Sequence, residues 1–192
     1  MKRSVVALSA IICWGLAATA CAGPRLFPDE VYSAGGSSYP ERFGAEALWP
    51  PAARSDYRQR IRVFIGGITV ASWSIELDEK EDGRGVGVLR EHDGHKIIST
   101  HRFRVSKNDF DELALAATQA KLWDIYPQFF VRNAVPNEIC VDGMMLVFER
   151  VDATGYRYAE GNAQCALGQA QLAVAAKLMT IAGRPDLERF LR

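Results

Sequence analysis

The stretch CVDGMMLVFERVDATGYRYAEGNAQC, residues 140–165, decides how the chain folds. Two runs rich in β-branched, aromatic and other apolar residues, MMLVFERV and YRYAEG, flank the turn-forming residues Asp152 to Gly155, so the stretch reads as a β-hairpin. One cysteine precedes the first strand and another follows the second. Antiparallel pairing brings those two ends to roughly the 5.5 Å Cα separation that a disulfide spans. Cys140 and Cys165 are therefore expected to form a strap, worth about 3 kcal/mol in the chain-entropy description of such loops. A catalytic thiol at Cys140 is the alternative reading. It needs a base beside it, and all three histidines, His92, His95 and His101, lie upstream of this stretch.

Working outward, SKNDF (106–110) opens a helix. Ser106 can cap it while Asp109 reaches back, and Val105 and Phe110 are spaced as a hydrophobic staple. Phe110, Leu113, Ala114 and Ala117 form its apolar stripe, and the helix is expected to run to about Trp123. Before it, GVGVLREH and HKIISTHRFRV flank Asp93-Gly94, a two-residue hairpin signal. That register sets His92 opposite His95, Glu91 opposite Lys96, Leu89 opposite Ile98 and His101 opposite Val86. Further upstream, VASWSIELD alternates Trp73, Ile75 and Leu77 with polar residues, a half-buried strand. Downstream, an alanine-rich helix from about Ala166 to Ala182 buries Leu172, Ala175, Ala176 and Met179 and stops at Gly183 before Pro185. The order strands, helix, strands, helix predicts an α+β fold. The expected form is a two-layer sandwich, helices on one face of a mainly antiparallel sheet, with one disulfide.

The N-terminus sets an address. MKRSVVALSAIICWGLAATACAG places Lys2 and Arg3 before an uncharged run from Val5 to Ala18 that ends in small residues, which is the pattern of an export signal. The run is shorter than the roughly 20 residues of a permanent membrane helix. Ala18-Thr19-Ala20-Cys21 resembles the lipobox of bacterial lipoproteins, which implies a diacylglyceryl anchor on Cys21. Ala18 departs from the leucine that motif prefers, and ordinary cuts after Ala20 or Ala22 stay open. Cutting after Ala20 without acylation strands Cys21 as an odd thiol. Ala22 at the second position, in place of Asp, implies the outer membrane. The expected locations are thus an outer-membrane lipoprotein facing the periplasm, or the soluble periplasm.

The expected organisation is an export signal at 1–20, a linker at 21–58 and a single α+β domain at 59–192. The linker rests on the absence of any sustained period and on prolines at 24, 28, 40, 50 and 51. Leu48 and Trp49 could dock on the domain as a short arm. The formal charge of +0 becomes −2 once Lys2 and Arg3 depart. This gives no electrostatic footprint for nucleic acid or for an anionic membrane surface, so the only membrane contact expected is the lipid anchor.

The segments FRVSKNDFDELALAATQAKLWDI and CVDGMMLVFERVDATGYRYAEGNAQC, followed by the alanine-rich helix, resemble a group of uncharacterised proteobacterial secreted proteins, over residues 70 to 183. The resemblance implies a domain fold and no activity.

His92, Asp93 and His95 could share a metal at the hairpin tip, but His101 falls about 20 Å along the strand in the expected register, so no metal site is expected. The glycines of GRGVG precede no helix and fit a twisted strand or bulge rather than a dinucleotide loop. Glu138, Asp142, Glu149 and Glu160 could pair for acid–base work, and solvated carboxylates are the simpler expectation. No catalytic constellation and no cofactor are expected. LWDIYPQFFVRNAVPNEIC places Tyr126, Phe129 and Phe130 on a proline-broken connection, a common way to build a partner-binding surface, while Trp123 is expected to close the core. The function expected is a non-catalytic envelope protein that binds another envelope component. The alternatives are a small hydrolase using carboxylates near the cysteine strap, and an inhibitor or immunity protein.

Overall fold

Alternation puts Ile61, Val63 and Ile65 on one side of strand β1 (Gln59–Gly66) and Arg60, Arg62 and Phe64 on the other, and both sides are buried. A strand covered on both faces belongs in the middle of a sheet. The computed structural model describes residues 25–33, 35–36, 39–49, 56–67, 71–94, 96–124, 143–165 and 169–190. Within it β1 is joined by β2 (Ser72–Glu79), β3 (Gly85–His92), β4 (Ile97–Val105), β5 (Met145–Asp152) and β6 (Gly155–Asn162). They form one sheet in the order β4-β3-β2-β1-β5-β6, every neighbour antiparallel. Among the described residues three helices accompany it: α1 (Asp29–Ser33), α2 (Lys107–Gln119) and α3 (Gln169–Ile181). The fold is α+β.

Helix α2 starts as its sequence dictates. Ser106 Oγ accepts the Asp109 N–H at 3.2 Å while the Asp109 carboxylate accepts the Ser106 N–H at 2.9 Å, and Val105 and Phe110 are both buried. It ends earlier than expected, at Gln119. Lys121 turns left-handed, with φ of 50°, and a 3-10 turn at Leu122–Asp124 drives Leu122 into the core. Helix α3 closes in a Schellman motif, with Gly183 at φ 72°; the N–H groups of Gly183 and Arg184 bond the carbonyls of Thr180 and Met179. The expected start of α3 at residues 166–168 lies outside the described residues.

α2 and α3 cover one face of the sheet, packing Phe110, Leu113, Val174, Leu178 and Met179 onto Ile61, Val63, Ile75, Leu77, Leu146 and Phe148. Leu172 and Ala176, expected in the core, are only partly buried, and Val174 and Leu178 take the central places. Trp123 packs at the margin of this core, with the Arg150 guanidinium 5.1 Å from its ring.

The opposite face corrects the linker expectation. The described residues among 25–33, 35–36 and 39–49 lie against it as an arm built from α1 and a 3-10 turn at Tyr39–Phe43. Leu26, Phe27, Val31 and Phe43 join Phe64, Val147 and Tyr158 in a second apolar cluster, and Leu48 is buried as well. Each such side chain contributes roughly 1.5–3 kcal/mol relative to exposure. The arm shows no period because it is mostly irregular, its apolar residues spaced to fit pits in the sheet rather than one face of an element.

The β3–β4 hairpin corrects the expected register. The Asp93 N–H bonds the Lys96 carbonyl and the Lys96 N–H bonds the Asp93 side chain, so the loop holds four residues, 93 to 96, rather than two. Leu89 consequently faces His101, Glu91 faces Ser99, and a bulge separates Glu91 from His92. The shift turns β4 over. His101, Phe103 and Val105 share the helix side with Leu89, while Ile98 is 52% exposed. Gly87 fits this register: Phe103 lies across it, and an added Cβ would sit 2.2 Å from the ring.

Candidate functional site

The sheet face beneath the arm collects charges. The registers place Arg60, Arg62 and Phe64 of β1 beside Asp78, Glu76 and Ser74 of β2, and beside Val151, Glu149 and Val147 of β5. Glu149 and Val147 in turn face Tyr158 and Glu160 of β6. Arg62 is buried to 1% and Glu149 to 0% exposure. Arg62 donates from Nε to Glu149 Oε2 at 2.7 Å, with Nη2 2.5 Å from the same oxygen. Its Nη1 donates to the Glu46 carbonyl of the arm at 2.7 Å and lies 3.5 Å from Glu76. The Tyr156 hydroxyl donates to the other Glu149 oxygen at 2.7 Å.

Neighbouring groups repeat the pattern. Arg60 binds the Asp78 carboxylate with two nitrogens, and its guanidinium lies 4.7 Å from the Tyr57 ring centroid. The Tyr158 hydroxyl donates to Glu160, itself 1% exposed. Glu149 and Glu160, expected to be solvated, are thus buried. The reason is that the arm roofs the strands that carry them.

Electrostatics follow from that roof. Burial pushes the Glu149 carboxyl above its ordinary value, against the opposing pull of Arg62 and the Tyr156 hydrogen bond. Burial, reinforced by the Glu149 charge, holds the Tyr156 phenol well above its ordinary value. Both Glu149 oxygens are occupied and no face of it meets water, so its chemistry is to hold Arg62 and the arm in place.

The histidines part company. His92 is 3% exposed, its ring 4.2 Å from that of Phe43, so the expected exposed tip is instead a packed contact of the arm. His101 is exposed and stacks on Phe103. His95, Cys21, Tyr126, Phe129, Phe130, Glu138, Cys140 and Asp142 lie outside the described residues. Cys165 is described, and it is buried just beyond β6. Among the described residues no group of three or more His, Cys, Asp or Glu side chains is placed to hold a metal. Among them, too, no helix is long and apolar enough to cross a membrane.

A cleft of about 70 Å³ opens between α2 and β1, lined by Leu113, Ala117, Trp123 and Arg150 among others, far smaller than the several hundred Å³ of an ordinary small-molecule site.

Away from the arm, the β3–β4 wing is open. β4 is an edge strand, exposed over almost its whole length on both faces. Its Arg102 and Arg104 face Val88 and Val86 of β3, and Arg90 faces Thr100. Sequence reading missed this surface because the wrong register put Arg102 and Arg104 on the other side of the sheet.

No protein-family model matches the chain, and no curated protein matches it.

Proposed function

We propose that the chain is a non-catalytic envelope protein, anchored by lipid on Cys21 and facing the periplasm from the outer membrane, whose folded domain binds another envelope component. The export signal and the lipobox-like run before Cys21 support the address. The observation that carries the reading is the occupancy of Glu149: ion-paired to Arg62, bonded to Tyr156 and roofed by the arm, it holds structure rather than a substrate. That disfavours a hydrolase built on the buried carboxylates of this face. The aromatic connection carrying Tyr126, Phe129 and Phe130 is the proposed contact surface.

The same reading includes a Cys140–Cys165 disulfide. Cys165 is buried beside the end of β6, where the Ala163 N–H bonds the Met144 carbonyl and Gln164 caps the Met144 N–H. Cys140 precedes Met144 by four residues, within about 14 Å of chain. The unreduced protein should resist alkylation at both positions; two modifiable thiols would remove the strap.

The test of function is in-cell crosslinking of the tagged protein followed by mass spectrometry. One dominant envelope partner is expected, with capture weakened when Tyr126 and Phe129 become alanine. Failure to recover a reproducible partner, together with a hydrolytic activity lost in Asp142→Asn or Glu160→Gln protein that still folds, would replace this reading with the hydrolase.

A further inference from the structure

The sheet has two edges, and they differ. β6 buries its central residues, whereas β4 runs nine residues with only Val105 fully buried. Every second residue of an edge strand turns its N–H and C=O away from its single neighbour. β4 carries no proline, and its one irregularity lies at the hairpin end, between Glu91 and His92. The strand is therefore long and regular enough to accept another.

The side chains along it are of one sign. Arg90, Arg102 and Arg104 share the face away from the helices, and none has a carboxylate within ion-pair distance among the described residues. Most other arginines of the described residues are matched, as Arg60 with Asp78 and Arg62 with Glu149 show. The chain as a whole is near neutral, so the wing is a local excess of positive charge. Arg102 and Arg104 stand roughly 7 Å apart along the strand, the spacing of alternate residues on a paired strand. Val86, Ile97 and Ile98, 41%, 44% and 52% exposed, supply apolar contact between and beside the charges.

We infer that β4 is a docking edge for an extended acidic segment of another envelope polypeptide, which adds to the sheet as a seventh strand and sets alternate carboxylates against Arg102 and Arg104. This rests on the envelope-binding reading above and adds to the aromatic connection a second surface, with the chemistry of its partner. A lipid headgroup would answer the arginines and leave the backbone ladder unmet. A second copy of the chain would bring two arginine-bearing edges together. Only an acidic strand satisfies both the ladder and the charge.

The probe is a nine-residue peptide alternating Glu and Val, with three controls: its Lys/Val counterpart, the Glu/Val peptide N-methylated at alternate residues, and vesicles rich in phosphatidylglycerol. Binding to the full-length exported chain is followed by amide NMR and hydrogen exchange. The Glu/Val peptide should shift and protect amides between Ile97 and Val105, and the Lys/Val and N-methylated peptides should not. Arg102→Gln with Arg104→Gln should weaken binding roughly tenfold, within the usual worth of two exposed charge contacts. Equal binding of the N-methylated peptide, vesicle binding that needs the same arginines, protection of β4 by self-association, or no binding at all would overturn strand addition. A photo-crosslinker at Thr100 and another at Tyr126 separate the two claims. Capture from Tyr126 alone leaves the envelope-binding reading standing and removes the β4 edge, and capture from neither removes both.

Discussion

Arg62 and Glu149 meet where there is almost no water, and the cost of bringing them there is recovered only while both are present. Glu149→Gln leaves the buried Arg62 guanidinium with Glu76, 3.5 Å from its Nη1, as its remaining counter-charge, and should cost about 3 kcal/mol of stability, the lower end for breaking a buried pair. Replacing both, Arg62→Met with Glu149→Leu, should recover most of that loss, because neither substituted residue leaves a bare charge. Urea unfolding of Arg62→Met, of Glu149→Leu and of the double variant measures the coupling. If the two single losses simply add in the double variant, the pair is not the unit described here. Glu149 also shows where sequence reading stops at this scale. Its residue type gives it equal claim to water or a partner, and only the β1–β5 register and the roof above them decide.

The arm is the element whose presence changes most. Tyr32 ties it together, donating to Glu41 at 2.6 Å and accepting the Phe27 N–H. Burial, with the hydrogen bond to Glu41 next, raises its phenol from 10.0 to about 12. A group whose folded value is raised contributes stability that is fully present below its unfolded value and is lost as pH climbs through the folded one. The contribution of Tyr32 to arm docking is therefore intact up to about pH 10 and gone near pH 12. Tyr156, raised in the same direction, adds to the alkaline loss. Absorbance at the tyrosinate band should show a phenol titrating near 12 that disappears in Tyr32→Phe. A Tyr32 that ionises at its ordinary value would mean that the arm does not enclose it. Elements held by local rules were legible in the sequence: the Ser106–Asp109 cap, the Gly183 stop and the two-residue turn after Asp152 all depend on neighbours within a few residues. β1 was not, because alternating arginines imitate a solvent face until the arm covers them. The β3–β4 register was not, because the Asp93 side chain caps Lys96 and overrides the preference of Asp-Gly for a two-residue turn. Of the arm only its end at Leu48 and Trp49 was legible, Leu48 being buried and Trp49 donating to the Leu26 carbonyl, because irregular chain has no period to read.

At the scale of the whole molecule, the docked arm alters what the proposed lipid on Cys21 would do. A linker over residues 21–58 behaving as coil would let the domain wander some 30–40 Å from its anchor. With the chain packed against the sheet from Arg25 and Leu26 onward, four residue steps remain between Cys21 and the folded body, at most about 14 Å when fully extended. The lipidated protein should thus sit close against its membrane. Neutron reflectometry of the mature lipoprotein on a supported bilayer should place the start of the folded layer within about 15 Å of the headgroups, the reach of those four steps. Phe27→Ala combined with Phe43→Ala removes two buried rings of the arm cluster, each costing about 3–5 kcal/mol, more than a docked arm of this size can lose. That variant should keep the helix-side core, as judged by its far-ultraviolet circular dichroism, while a hydrated gap tens of ångströms deep opens beneath the domain. A wild-type gap already that deep would show that residues 25–49 leave the sheet when the protein is anchored, and a variant no higher than wild type would show that these rings do not hold the arm down.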